Sequence, residues 1–477
     1  MNVAFVYTLK DKYQTPSKPL SARDEIQFGI SYISSFLKKH GHNTRLLILT
    51  KKTENEIIDE FFKEFKPALV CFTAVTSEYE FVSNSADYIK KNYPSTYLII
   101  GGPYASLNPN GCVNDPFDAI CIGEGEHPTL ELVKQLQDGK KPSKIQNLWI
   151  KNNSKIEKNP TRAVLEDLDS LPFPDREMWR EWTIGREVRP TILLGRGCPF
   201  QCTNCCNHAL KKIASGRYVR FRSPENILEE VKDILAKFPT TKEIYFEVET
   251  IGVNQKWVIR LCSKLEEYNK GLTKPVSFGV NLRVTPNMEL EKIFDALNKA
   301  NFKYVRIGLE SGSERVRREI LKRNYSNQDI IDAARLAKEY GLGVTLYNMI
   351  GIPGETLADF KETIRINREI LPDSYFLSIF FPYPGTDLHQ VCKEKGLLDK
   401  IPDADLERCK ATLDLPGFSK RQIQHNFIWF EYYVYKGHKP LSRILWTIFK
   451  LKIMSEHPLI YEKIFIPLRW VKRSFFR

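Results

Sequence analysis

Twice along this chain, short apolar runs alternate with stretches whose apolar residues recur at helical spacing. In the first series the runs are VAFVY (3–7), RLLIL (45–49), ALVCFTAV (68–75), YLIIGGP (97–103) and DAICIGEGE (118–126). Ile26, Ile30, Ile33 and Leu37 mark a helix after the first run, and helical patterns near 54–65, 78–92 and 129–137 separate most of the others. Strands that alternate with helices form a parallel sheet covered on both faces. Residues 1–140 are therefore expected to make a doubly wound, Rossmann- or flavodoxin-like domain. The second series runs through TILL (191–194), EIYF (243–246), VSFGVN (276–281), YVRIGL (304–309), VTLYNMI (344–350) and YFLSIFF (375–381). Six such units predict a partial (β/α)6, TIM-like barrel over residues 191–390. The polar stretch 141–190, with NNSK and LPFPDR, reads as a linker, and 391–477 as a helical, basic C-terminal region. The fold class is α/β throughout, with no internal repeat.

Both kinds of parallel sheet place ligands at the carboxyl ends of the strands. In the first series Gly101-Gly102-Pro103 and Gly123-Glu124-Gly125-Glu126 stand at such ends, where glycine admits close backbone approach or simply makes a tight turn. In the second, the corresponding residues are Glu247 and Glu249, Asn281 and Arg283, Glu310, Gly351 and the loop after TILL. That loop, GRGCPFQCTNCCNHAL (195–210), holds four of the ten cysteines. Cys198, Cys202 and Cys205 follow a C-x3-C-x2-C spacing, and Cys206 comes next. Three thiolates on one tight loop can hold three corners of an iron–sulfur cube, whereas a structural cluster takes four cysteines. The fourth iron then keeps an open position, which marks a site of ligand binding or reaction. The competing reading is a structural zinc completed by His208 or Cys206, although such sites gather their ligands from two separated loops. Cys71, Cys112, Cys121, Cys262, Cys392 and Cys409 are scattered and read as small buried hydrophobes.

RGCPFQCTNC (196–205) resembles the cluster loop of radical S-adenosylmethionine (SAM) enzymes. RFRSPENILEEV (220–231), RIGLESGS (306–313), IGIPGET (350–356) and FPYPGTDL (381–388) are similar to that family's later motifs, in the same order, and LPFPDR (171–176) to its usual linker. The first series, with GGPYA and GEGE, is similar to the cobalamin-binding domain of the class B, methyltransferase-type branch. The resemblance covers roughly residues 1–395. It implies a 4Fe-4S cluster on Cys198, Cys202 and Cys205 whose open iron binds SAM. It also implies SAM contacts at Glu249, Arg283, Glu310, Ser311 and Ile352, and a 5′-deoxyadenosyl radical that abstracts hydrogen from the substrate. Methyl transfer from cobalamin to an unactivated carbon would follow, with Thr73, Thr76, Gly101, Gly102 and Glu124 as cobalamin contacts. Ring formation, oxidation or rearrangement without methyl transfer is the alternative, and a non-catalytic cluster or cobalamin sensor a lesser one. Asn204 stands where relatives commonly have an aromatic residue, and Glu247-Val248-Glu249 where many have paired Asp. The D-x-H-x-x-G motif that gives cobalt a histidine is missing, so a base-off form is expected. A sheet domain that keeps its fold without the cofactor is a further alternative. No catalytic side chain is assigned, and Cys206 is read as a packed residue or a thiol.

Net charge is +13 with an apolar share of 42%. No apolar run reaches about 18 residues, and residues 1–9 lack the charged start of a signal peptide, so the expected location is the cytoplasm. From Lys436 to Arg477 there are ten Lys/Arg against Glu456 and Glu462, interleaved with Trp, Phe and Leu. Such a helix lies in a membrane interface or packs on the barrel with its charges solvated. Nucleic acid is not expected, because no nucleic-acid module is present. The expected partners are a small-molecule or lipid-linked substrate, an electron donor of flavodoxin or ferredoxin type, and a membrane surface met through the tail.

Overall fold

A computed structural model describes residues 1–9, 26–50, 55–152, 155–183, 190–248, 251–286, 288–398, 407–457 and 460–461. The first sheet is built from β1 (Asn2–Thr8), β2 (Asn43–Leu49), β3 (Leu69–Thr73), β4 (Tyr97–Gly101), β5 (Ala119–Cys121), β6 (Leu148–Asn152) and β7 (Lys155–Lys158), in the order β2-β1-β3-β4-β5-β6-β7. β1 to β5 are parallel. Their residues alternate between two cores. One, with Val3, Phe5, Ile48 and Cys71, lies under the helices Phe28–Lys39 and Glu126–Gln137; the other, with Ala4, Val6, Leu49 and Val70, under Asn55–Phe65 and Tyr79–Asn92. The strand order reverses at β1, which pairs β2 on one side and β3 on the other, so the ligand crevice belongs at the carboxyl ends of β1 and β3.

The stretch read as an irregular linker is more ordered than its composition suggests. β6 and β7 form an antiparallel hairpin that extends the first sheet. Leu148 and Ile150 of LWIKN alternate inward, a period of two that flanking Lys and Asn mask in so short a run. Farther on, Trp179 is fully buried in the first core and donates Nε1–H to Ser31 Oγ at 2.8 Å. Asp175 accepts from Ser34 Oγ at 2.6 Å and pairs with Lys38 at 2.7 Å.

The second sheet contains β8 (Thr191–Leu193), β11 (Glu243–Glu247), β12 (Ser277–Leu282), β13 (Phe302–Glu310), β14 (Gly343–Ile350) and β15 (Ser374–Ile379). It is all parallel, in the order β15-β14-β13-β12-β11-β8, with β9 (Gly195–Arg196) and β10 (Arg220–Phe221) as a separate antiparallel pair. The six strands and their outer helices match the expected partial barrel. Ser223 caps the helix Pro224–Lys237 through the Asn226 amide at 3.1 Å, as Ser-Pro before an amphipathic run predicts. Ile227, Val231 and Ile234 of that helix are fully buried against the sheet's outer face. C-terminal to the barrel, the helices Lys420–Tyr435 and Leu441–Glu456 pack through Phe427, Phe430, Ile444 and Ile448 into a core shared with Phe360 and Leu377. Among the described residues no helix is long and apolar enough to cross a membrane.

Candidate active site

The cysteine loop is pinned at its root. Gly195 and Arg196 of β9 pair with Phe221 and Arg220 of β10. A Cβ on Gly195 would come within 2.4 Å of the Arg220 carbonyl oxygen, and one on Gly197, whose φ is +81°, within 2.1 Å of the Tyr218 oxygen. Only glycine fits both places. The chain then turns, with the Cys205 amide donating to the Cys202 carbonyl at 3.1 Å, and Cys205 becomes the N-cap of the helix Cys206–Ile213. Thr203 ties the loop to the barrel: its Oγ1 donates to the Ile320 carbonyl at 2.6 Å, and its own carbonyl accepts from the Leu388 amide at 3.1 Å.

Cys202 is buried, and Arg283 Nη1 lies 2.9 Å from its Sγ, with the guanidinium stacked on Phe200 at 3.5 Å. Glu310 ends β13 at φ +60°, where the register with β14 shifts, and its carboxylate meets Arg323 at 3.2 Å. Burial opposes the charge of Arg323, but Glu310, Tyr325 and Cys202 more than restore it and hold its pKa above the ordinary arginine value. Arg283 and Glu310 thus share one neighbourhood with Cys202. Ser311 is fully buried, its hydroxyl accepting from the Ser313 amide at 3.2 Å. Ile352 is fully buried in the C-terminal core. Glu249 lies outside the described residues. Asn204 Nδ2 meets Met349 Sδ at 3.6 Å, while its buried Oδ1 has no hydrogen-bond partner among the described residues. His208, the histidine of the zinc alternative, turns Nε2 to Asp387 at 3.2 Å. Among the described residues no three His, Cys, Asp or Glu side chains converge as they would round one ion. A cube spreads its ligands more widely, one to an iron. Three thiols on a pinned loop, one already against a buried guanidinium, fit that group.

At the strand ends of the first sheet, a cavity of about 260 Å³ is lined by Phe5, Thr73, Gly101 and Gly102 among others. Gly102 has φ +92°, and a Cβ there would lie 2.7 Å from Thr73 Oγ1. A second cavity of about 530 Å³ shares Gly102, Glu124 and Arg196 with the first and reaches Asn207, Leu210 and Ile213 on the helix that Cys205 caps. Its wall therefore joins the first domain to the cysteine loop. Thr76 lines neither cavity. Glu124 does line them, but its carboxylate is engaged: it accepts from Arg220 at 2.8 Å, Arg196 at 3.3 Å and the Leu165 amide at 3.0 Å. Burial raises its pKa, yet Arg196, Arg220 and that amide hold it below the usual carboxylate value. Arg196 also bonds Glu126 at 2.5 Å and stands over the Tyr32 ring at 5.1 Å. Reading the sequence did not single out Arg196, Arg220 or Glu126 as partners, because such a network has no spacing signature; the only hint was charged residues beside glycines at strand ends.

Residues 192–366 match the model of the radical SAM superfamily, and residues 21–133 that of the B12 binding domain. The chain carries a B12-binding domain followed by a radical SAM domain. It is a radical SAM enzyme with the B12-binding domain ahead of the radical SAM barrel, and solved neighbours of the same fold hold cobalamin, a 4Fe-4S cluster and SAM. Among relatives of this radical SAM protein, an uncharacterised methyltransferase of Pyrococcus horikoshii is 28% identical over 400 residues, 83% of this chain and 84% of that one. The anaerobic magnesium-protoporphyrin IX monomethyl ester cyclase of Rubrivivax gelatinosus is 25% identical, over 80% and 67% of the two chains. The cobalamin-dependent SAM radical enzyme OxsB, solved with aqua-cobalamin and SAM, shares the fold, with a TM-score of 0.72 at 16% identity over 99% of this chain and 75% of that one.

Proposed function

We propose that this radical SAM protein methylates an unactivated carbon of a small-molecule or lipid-linked substrate. The observation that carries the reading is the cavity of about 530 Å³ walled jointly by the first domain's strand ends and the helix after the cysteines. It offers a large cofactor on one domain a direct face toward the cluster loop of the other, and the Pyrococcus relative is named a methyltransferase. When bound, the cluster and SAM supply a radical that takes a hydrogen atom from a C–H bond, and cobalamin supplies the methyl group. The chain's residues do the placing. Cys198, Cys202 and Cys205 hold the cluster. Arg283 and Glu310, with Glu249, Ser311 and Ile352, form the SAM side. Thr73, Gly101 and Gly102 line the cobalamin side, and Glu124 holds the two domains in register through Arg196 and Arg220. Thr76, the remaining strand-end threonine of that reading, lines neither cavity. A flavodoxin- or ferredoxin-type donor supplies electrons.

The test is turnover by the reduced, reconstituted protein with methyl-labelled SAM and host extract. The expected result is 5′-deoxyadenosine together with a labelled product, both dependent on cobalamin. Release of 5′-deoxyadenosine with no label transferred, and no dependence on cobalamin, would instead favour ring formation or oxidation, the class to which the Rubrivivax cyclase is named.

A further inference from the structure

A closed (β/α) barrel fills its interior with branched aliphatic side chains. The second sheet does not. Its outer face carries Ile244, Phe246, Val280, Val305, Ile307 and Leu346, all in the core beneath the helices. Successive residues of a strand point to opposite faces, so the alternate positions make the concave face. There, on five adjacent strands, stand Tyr245, Asn281, Tyr304, Arg306, Tyr347 and Phe376.

These residues are organised around one cation. The Arg306 guanidinium lies 4.3 Å from the Tyr245 ring centre and 5.5 Å from that of Tyr304, and Nη1 donates to the Tyr347 hydroxyl at 3.3 Å. Tyr347 packs edge-on against Phe376 at 5.8 Å, and Phe376 is 52% exposed although it sits within a strand. The Tyr304 hydroxyl donates to Glu243 at 2.7 Å. Among the described residues no carboxylate lies within ion-pair distance of Arg306; the groups against its guanidinium are Tyr245, Tyr304 and Tyr347, with Glu247 farther along the same face beside Tyr245. Partial burial of a guanidinium without a counter-charge is costly, and aromatic faces offset only part of that. Two other buried arginines do have acids: Arg323 has Glu310, and Arg196 has Glu124 and Glu126. Arg306 precedes Glu310 by four positions on β13, about 13 Å along the strand. That leaves the depth of a small organic molecule between it and the strand-end residues.

We infer that the concave face of the second sheet is the substrate chamber and that Arg306 is its anion-holding group, taking the carboxylate or phosphate of an organic substrate whose body rests on Tyr347 and Phe376. This deepens the proposed function and rests on it for the identity of the chamber's occupant. Guanidinium meets both anions through the same paired N–H donors.

The experiment is calorimetric titration of the full-length protein with benzoate, phenyl phosphate, inorganic phosphate and, as the uncharged control, benzyl alcohol. At least one aromatic anion should bind saturably, more tightly than inorganic phosphate, and the benzoate and phenyl phosphate arms tell a carboxylate from a phosphate site. Arg306→Met keeps the stem against the tyrosines and should weaken that anion at least about tenfold without changing benzyl alcohol. If Arg306→Met does not fold, Arg306→Lys keeps the charge but loses the fork, and should weaken phenyl phosphate more than benzoate if the substrate group is a phosphate. Equal binding by wild type and variant, or no saturable binding of either aromatic anion, overturns the inference. Failure here with label transfer from SAM intact sinks this inference alone; anion binding without SAM turnover sinks only the proposed reaction.

Discussion

Two side-chain sets carry the sharpest single-residue expectations. On the proposed reading Cys198, Cys202 and Cys205 would be the three protein ligands of a cluster with one open iron, so loss of any one would leave two. Alanine at each should abolish the roughly four irons per chain of anaerobically reconstituted protein, and the perturbation of its spectrum by SAM, while Cys206→Ala retains both. The second set centres on Glu355. It is fully buried, its Oε2 accepts from the Gly351 and Ile352 amides at 2.6 and 3.2 Å, and its Oε1 has no hydrogen-bond partner among the described residues. Burial pushes its pKa up to about 8, against the pull of those two amides. Between the ordinary glutamate value and about 8, the unfolded chain has lost the proton and the folded one keeps it. Stability from this group therefore falls as pH rises through that window and levels off above it. Glu355→Gln preserves the acceptor for both amides and does not titrate. Relative to the variant, the wild type should lose stability by an amount on the order of a few kcal/mol from about pH 5 to about pH 8, read from denaturant midpoints.

At the level of elements, the β9–β10 pair acts as the clamp that presents the cysteine loop. Gly197 combines a positive φ with a Cβ position 2.1 Å from the Tyr218 carbonyl oxygen. Gly197→Ala must either move that backbone or open the clamp, with a conformational cost of about 1 kcal/mol or more. The expected outcome is reduced iron per chain with all three ligand cysteines present and far-ultraviolet dichroism unchanged. A wild-type iron content in Gly197→Ala would show that the loop does not depend on its root. The neighbouring network works across domains. Arg220, with 3% of its side chain exposed, and Arg196 both meet Glu124. Glu124→Ala leaves Arg220 buried without that acid, and breaking such pairs costs about 3–5 kcal/mol. A lower unfolding midpoint and weaker hydroxocobalamin binding should appear together, because the same carboxylate borders both cavities.

For the molecule as a whole, the helix Leu441–Glu456 has two apolar sides. Ile444 and Ile448 are buried against the preceding helix, whereas Leu441, Leu445, Trp446 and Phe449 are each about half exposed, at 55%, 46%, 52% and 50%. Leu441, Leu445 and Phe449 recur every four residues along one ridge, and Arg443 and Lys450 flank it. We expect this open side to meet an anionic bilayer surface, with each nearby Lys or Arg adding about 1 kcal/mol. Part of the basic tail, Lys463 to Arg477, lies outside the described residues. Because Ile444 and Ile448 belong to the core, point changes on the open ridge are a cleaner test than removing the helix. Full-length protein should sediment with anionic vesicles at low salt and less at high salt, where screening shortens to a few ångströms. The Leu445→Ser, Trp446→Ser, Phe449→Ser triple variant should stay in the supernatant. If both proteins stay there, the lipid-linked part of the substrate reading goes, and a soluble metabolite remains.

The chain's order of elements was legible without coordinates, because period and spacing are local properties. Strand and helix periodicities announced both sheets, the glycines and cysteines of 195–206 announced a tight loop after a strand, and Ser223-Pro224 announced its helix. What came out differently depended on partners distant in sequence. The LWIKN hairpin was read as linker because so short a strand shows only two inward apolar positions between polar neighbours, and Trp179 found its burial against Ser31, far along the chain. Glu124 stood in the sequence as a cofactor contact at a strand end, and the fold gave its carboxylate to Arg196 and Arg220. Arg306 was one charge inside YVRIGL until the parallel register set tyrosines of three strands around it and, among the described residues, no acid within ion-pair distance. Sequence by itself determined which backbone elements form and which thiols cluster, since both follow from neighbours within a few residues. Tertiary structure decided which charges are paired and which face a chamber, since Coulomb energy and burial depend on distances between strands that no local pattern encodes.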